Sequence, residues 1–199
     1  MKENKYTTIN NLKPYFYTLI NINNKLIKLT CFKGYDNFQK SDIFLEICDL
    51  IFKIIPTKTL KDDVITIDEN SGILLIDEIK KIILPELKKL TDKHNEILIN
   101  IKKLRNKLEH EPHNIMKNFI LSGQDTFRGF CFITFQYKDK EISVSTDNLI
   151  IIINYLNKSF TEIQKYIGKY SNDKILKGDY YYHELINENF NEIRTNNSY

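Results

Sequence analysis

The chain contains no alanine, and only three of its 29 basic residues are arginine: Arg105, Arg128 and Arg194. With many Asn and Ile, this points to an AT-rich coding sequence. Against so Arg-poor a background each guanidinium carries more information, because it forks a phosphate through two hydrogen bonds whereas an ammonium acts as a point charge. Cysteine is also scarce. Cys31, Cys48 and Cys131 lie far apart, with no C-x-x-C pair and no metal-ligand spacing, and their odd number argues against a disulfide framework. A reducing cytoplasm is the natural expectation, with no metal and no cofactor. Long apolar runs are missing too. The start, Met1-Lys2-Glu3-Asn4-Lys5-Tyr6, has no apolar signal core, and the greasiest stretch, Leu149 to Ile153, is too short to span a bilayer, so no membrane association is expected. Nor is there a large excess of charge: 29 basic against 26 acidic side chains give a formal net charge of +3. A strongly cationic chain would bind nucleic acid on charge alone; here phosphate binding must come from a local patch.

What is present suits one folded domain, 1–199: 42% hydrophobic residues build a core and 28% charged residues are ordinary for a soluble protein. Residues 1–13 are polar and read as frayed. Residues 15–32 alternate partly at Phe16, Thr18, Ile20 and Ile22, with Asn23-Asn24 as a possible turn, so a hairpin and a helix both remain open. Residues 41–168 read as the core. Ser41-Asp42 can cap a helix with an apolar face running from Phe44 to Ile55, which Pro56 ends. Residues 57–71 read as a loop. From Ile73 to His110 the pattern is helical, with a kink or break expected at Pro85. Beyond it Leu87, Leu90, Ile97, Ile101, Leu104 and Leu108 form one stripe, with His94 filling the gap. A hairpin is expected over about 130–145, turning at Lys138-Asp139-Lys140. Thr146-Asp147-Asn148 caps a second good helix, with a stripe of Leu149, Ile152, Ile153, Leu156, Phe160, Ile163 and Ile167 and a Gly168 stop. Residues 178–199 form a C-terminal appendage. The fold class is therefore mainly α, a helical bundle with an inserted β-hairpin.

Chemistry concentrates in Arg105-Asn106-Lys107-Leu108-Glu109-His110. Cutting RNA without a metal needs a proton taken from the 2′-hydroxyl as it attacks phosphorus, a proton given to the leaving 5′-oxygen, and charge stabilisation between. An imidazole moves protons near neutral pH, a guanidinium holds phosphate oxygens, and a neutral amide orients either. Asn106 and His110 are four apart and share a helix face. Arg105 and His110 are five apart and diverge by roughly 140° on a straight helix. They can meet on one phosphate if the helix loosens near Pro112, or if a symmetric dimer faces each Arg to its partner's His; the dimer is favoured.

This string, on the last turns of a long helix, resembles the R-x4-6-H motif of the HEPN ribonucleases, with their common Asn directly after the Arg. The specific match is about six residues, with helical context over 73–168. The resemblance implies an antiparallel α-helical bundle, a homodimer with a composite cleft, and metal-independent cleavage of single-stranded RNA. It also implies a role as the toxin of a toxin–antitoxin pair, as an abortive-infection protein or as an immune effector nuclease, with an antitoxin or regulatory partner. Arg105 and His110 would be catalytic and Asn106 supporting. Toxins paired with a nucleotidyltransferase often carry a Tyr two residues past the His; here that position is Pro112, which departs from that mode of regulation.

Lys102, Lys103, Lys107, Glu109 and His113 are candidate RNA contacts. Plainer roles stand beside these. Arg105 and Glu109 suit a surface i,i+4 ion pair, His110 suits the dipole at a helix C-terminus, and the lysines suit a solvated face. His94 is expected as a core or interface histidine with a hydrogen-bond partner, Asp62-Asp63 as loop, and Tyr180-Tyr181-Tyr182 as packing. The alternative to an enzyme is a non-catalytic helical module binding RNA, nucleotide or protein.

Overall fold

Four helices dominate the computed structural model of the chain, which describes residues 2–31, 37–59, 64–110 and 131–167. The first, α1 (Lys2–Cys31), settles the ambiguity over 15–32. Leu12, Phe16, Leu19, Ile22, Leu26 and Leu29 are all buried, at steps of three and four, so the apolar period is that of a helix. The apparent turn at Asn23 has another cause: its side chain is buried and exchanges two hydrogen bonds of 2.9 and 3.0 Å with Asn157, 134 residues away. A buried amide must be paired, and this pairing fixes α1 against the last helix. Residues 2–13, polar enough to read as frayed, are its first turns.

Helix α2 (Asn37–Ile54) starts four residues before the expected cap. Ser41 is therefore an interior residue, 2% exposed, rather than a terminus. Phe44, Ile47, Cys48 and Ile51 face the core, and the helix stops before Pro56 as expected. The stretch read as loop contains a small antiparallel pair, β1 (Thr57–Thr59) and β2 (Ile65–Ile67), with Thr57 opposite Ile67. Asp62 and Asp63 lie outside the described residues. A short 3₁₀ turn, Gly72–Leu75, opens at Gly72 with φ +57°, a conformation that suits glycine.

Helix α3 (Asp77–His110) runs through Pro85 and breaks instead at His94, whose φ −132° and ψ 31° are not helical. The break is anchored from both sides. The His94 ring meets Tyr155 edge-on at 5.4 Å, and Asn95 Nδ2 donates to the Ile65 carbonyl at 2.8 Å. Just beyond it Leu98 is fully buried in place of the expected Ile97, which is half-buried, and Ile101 and Leu104 then lie in the core as expected.

The expected hairpin is β3 (Phe132–Tyr137) paired with β4 (Lys140–Ser145). Ser145 and Asn148 cap the following helix reciprocally: each side chain accepts from the other's backbone N–H, at 3.2 and 2.9 Å. Thr146 Oγ1 donates to the Cys131 carbonyl and accepts from the Cys131 N–H, which closes the open end of the hairpin. Helix α4 (Thr146–Ile167) buries every residue of its expected stripe. Phe160 meets Phe16 of α1 edge-on at 5.0 Å, at the heart of a core shared by all four helices. The fold is thus mainly helical with two small antiparallel sheets. None of the described helices is long and apolar enough to cross a membrane. Gly168 and the 178–199 appendage with Tyr180-Tyr181-Tyr182 fall outside the described residues.

Candidate functional site

The last turns of α3 bury Ile101 and Leu104 and leave Asn106 and His110 exposed. His94 is the only residue of α3 with non-helical dihedrals, so the helix stays regular through His110. Loosening before His110 does not bring Arg105 and His110 together, and on one copy they keep the divergence of about 140° that five helical residues impose.

Arg105 turns toward α2. Its Nε donates to Asp49 Oδ1 at 2.9 Å, and Lys53 Nζ reaches Asp49 Oδ2 at 2.7 Å. Burial pushes the Asp49 carboxyl up, but the hydrogen bonds from Lys53 and Arg105 outweigh it and hold the group below the usual carboxylate range. Beside this pair lies an open cleft of about 490 Å³, lined by Asn21 and Lys25 of α1, Glu46, Asp49 and Lys53 of α2, and Arg105. Lys25 and Glu46 form a second ion pair on its wall. The cleft therefore brings three cations and two carboxylates together.

Asn106 and His110 are both exposed, stacked four residues apart on the face opposite the buried stripe. The three candidate lysines separate. Lys102 turns to β1, donating to Thr57 Oγ1 at 3.1 Å with its ammonium 5.9 Å from the Phe52 ring centroid. Burial and the charge of Arg105 lower its pKa. Lys103 and Lys107 face the hairpin: Lys103 Nζ lies 4.7 Å from the Tyr137 ring centroid, and Lys107 Nζ donates to the Gln136 carbonyl. The Glu109 side chain, Pro112 and His113 lie outside what the structure describes, as do Arg128 and Arg194. Among the described residues no three of His, Cys, Asp and Glu cluster as metal ligands would.

The structure brings Asn106 and His110 onto one surface and sends Arg105 to another. It adds residues that sequence reading overlooked. The Asp49–Lys53 spacing is visible as an i,i+4 pair, but its link to Arg105 across 56 residues is not. Tyr137 passes as an ordinary strand aromatic until Lys103 is seen over its ring. No protein-family model matches this chain, and neither a curated protein nor a solved structure matches it.

Proposed function

We propose that this protein is a metal-independent endoribonuclease of the HEPN kind, cutting single-stranded RNA in bacterial defence or within a toxin–antitoxin system, at a cleft shared by two copies of the chain. The observation that carries the reading is the exposure of Asn106 and His110 together at the end of α3, one turn from a half-exposed Arg105. An exposed imidazole and amide with a half-exposed guanidinium on one helix end supply the proton carrier, the orienting group and the phosphate holder of the transesterification. In the mechanism, His110 moves the proton between the 2′-hydroxyl and the leaving 5′-oxygen. Arg105 stabilises the charge gathering on the phosphate, and Asn106 orients the two. Their divergence on one helix is what makes the second copy necessary: a two-fold axis sets Arg105 of one protomer against the partner subunit's His110. An antitoxin or other regulatory partner would hold this surface closed in the resting cell.

The purified protein is expected to cut single-stranded RNA in the presence of chelator, and Arg105→Ala and His110→Ala each to reduce the rate at least about a hundredfold. Cutting that stops on chelation, or that survives both substitutions, removes the mechanism.

One observation favours a second reading. The Arg105–Asp49 pair ties α3 to α2, as it would in a non-catalytic helical module that binds RNA, nucleotide or protein. Expression in cells separates the two. Growth arrest by the natural chain but not by His110→Ala supports the enzyme, and two harmless chains support the module.

A further inference from the structure

Tyr137, at the end of β3, is half-buried against the edge of the core, and two ammonium groups lie over its ring. Lys103 of α3 lies 4.7 Å from its ring centroid and Lys138 lies 5.7 Å away. The Lys107 bond to the Gln136 carbonyl docks this end of the hairpin on α3. Lys103, Lys107 and His110 follow one another at i, i+4 and i+7, so they share a helix face. Tyr137 is thereby tied to the helix face that carries His110, through Lys103, which stands about 10 Å back along the axis from His110. Lys138 holds a left-handed backbone, φ +54°, at a position where a lysine is conformationally costly. That geometry opens the tight turn, and the ammonium lies near the ring.

We infer that Tyr137, rimmed by Lys103, Lys107 and Lys138, is a stacking platform for one base of a single-stranded RNA whose adjoining backbone runs toward His110. An aromatic face gives a base stacking energy without sequence preference, and flanking cations take the phosphates on either side. The more distant cation, Lys138, is the one a base displaces, and it then meets the neighbouring phosphate. Charge at the hairpin tip is balanced, since Asp139 and Glu141 offset Lys138 and Lys140. The recognition therefore leans on the ring and on the two helix lysines rather than on a broad basic field. The inference rests on the ribonuclease reading for the direction in which the strand runs, but binding can be tested apart from cleavage.

The experiment measures binding of a short, fluorescently labelled, mixed-sequence single-stranded RNA by anisotropy, with His110→Ala in every chain so that the probe stays whole. Tyr137→Leu keeps bulk and strand character but removes the π face, and it is expected to weaken binding about tenfold, the loss of one stacked base. Tyr137→Phe keeps the ring and is expected to bind as the parent does. Lys138→Gly suits the positive φ, so it is expected to hold or raise the melting temperature while weakening binding about twofold to threefold. Equal binding by Tyr137→Leu and the parent overturns the platform, as does equal weakening by Tyr137→Leu and Tyr137→Phe. Cleavage is read separately in chains that keep His110. A protein that binds through Tyr137 but never cuts retains the platform and loses the ribonuclease reading.

Discussion

Asp49 accepts from Arg105 and Lys53 at once, and this small network restrains the guanidinium that the proposed mechanism uses. Its worth is modest, because the Asp49 and Arg105 side chains keep 37% and 32% of their surface in water. Solvent screening at that exposure limits such a pair to less than about 1 kcal/mol. Asp49→Asn is therefore expected to lower unfolding free energy by no more than that in urea titration. The acid limb gives a second readout. A carboxyl whose folded pKa lies below its unfolded value stabilises the fold above the unfolded pKa, and that contribution fades as pH falls through the folded one. The difference between the natural chain and Asp49→Asn should thus be full at neutral pH and shrink below about pH 4. A difference that grows on acidification contradicts the assignment.

At the scale of elements, the break at His94 couples α3 to the β1–β2 pair. Asn95 reaches the Ile65 carbonyl directly after the residue that leaves the helical conformation. Asn95→Ala is expected to cost about 1 kcal/mol and to speed amide exchange in β2 while leaving α4 unchanged. Uniform acceleration across the chain would show that the bond does not act locally. The same elements show where sequence reasoning reaches and where it stops. Helix α4 and the β3–β4 hairpin were legible because their patterns answer to local burial: every residue of the stripe from Leu149 to Ile167 is in the core. The α1 pattern was ambiguous because Asn23-Asn24 resembles a turn, and the partner that keeps Asn23 inside a helix is Asn157. Pro85 drew the expected kink, yet the distortion sits at His94, where Tyr155 and Ile65 hold it. Of the candidate site, the exposure of Asn106 and His110 followed from the stripe. The divergence of Lys102 from Lys103 and Lys107, and the Asp49 partner of Arg105, depended on contacts across the fold.

For the molecule as a whole, a core shared by four helices presents the last turns of α3 at its edge as regular helix. Arg105 opens toward the cleft against α1 and α2, and His110 opens toward the hairpin side. Regular helical geometry is what separates the two groups, and it is why the proposed chemistry is assigned to a pair of chains rather than to one. Mixing Arg105→Ala with His110→Ala, each inactive alone, tests this directly by the rate of RNA cleavage after the two are co-refolded. A shared cleft predicts recovery to about a quarter of the natural rate, since half of the dimers are mixed and each of those rebuilds one of two sites. A mixture as inactive as its components would contradict the account.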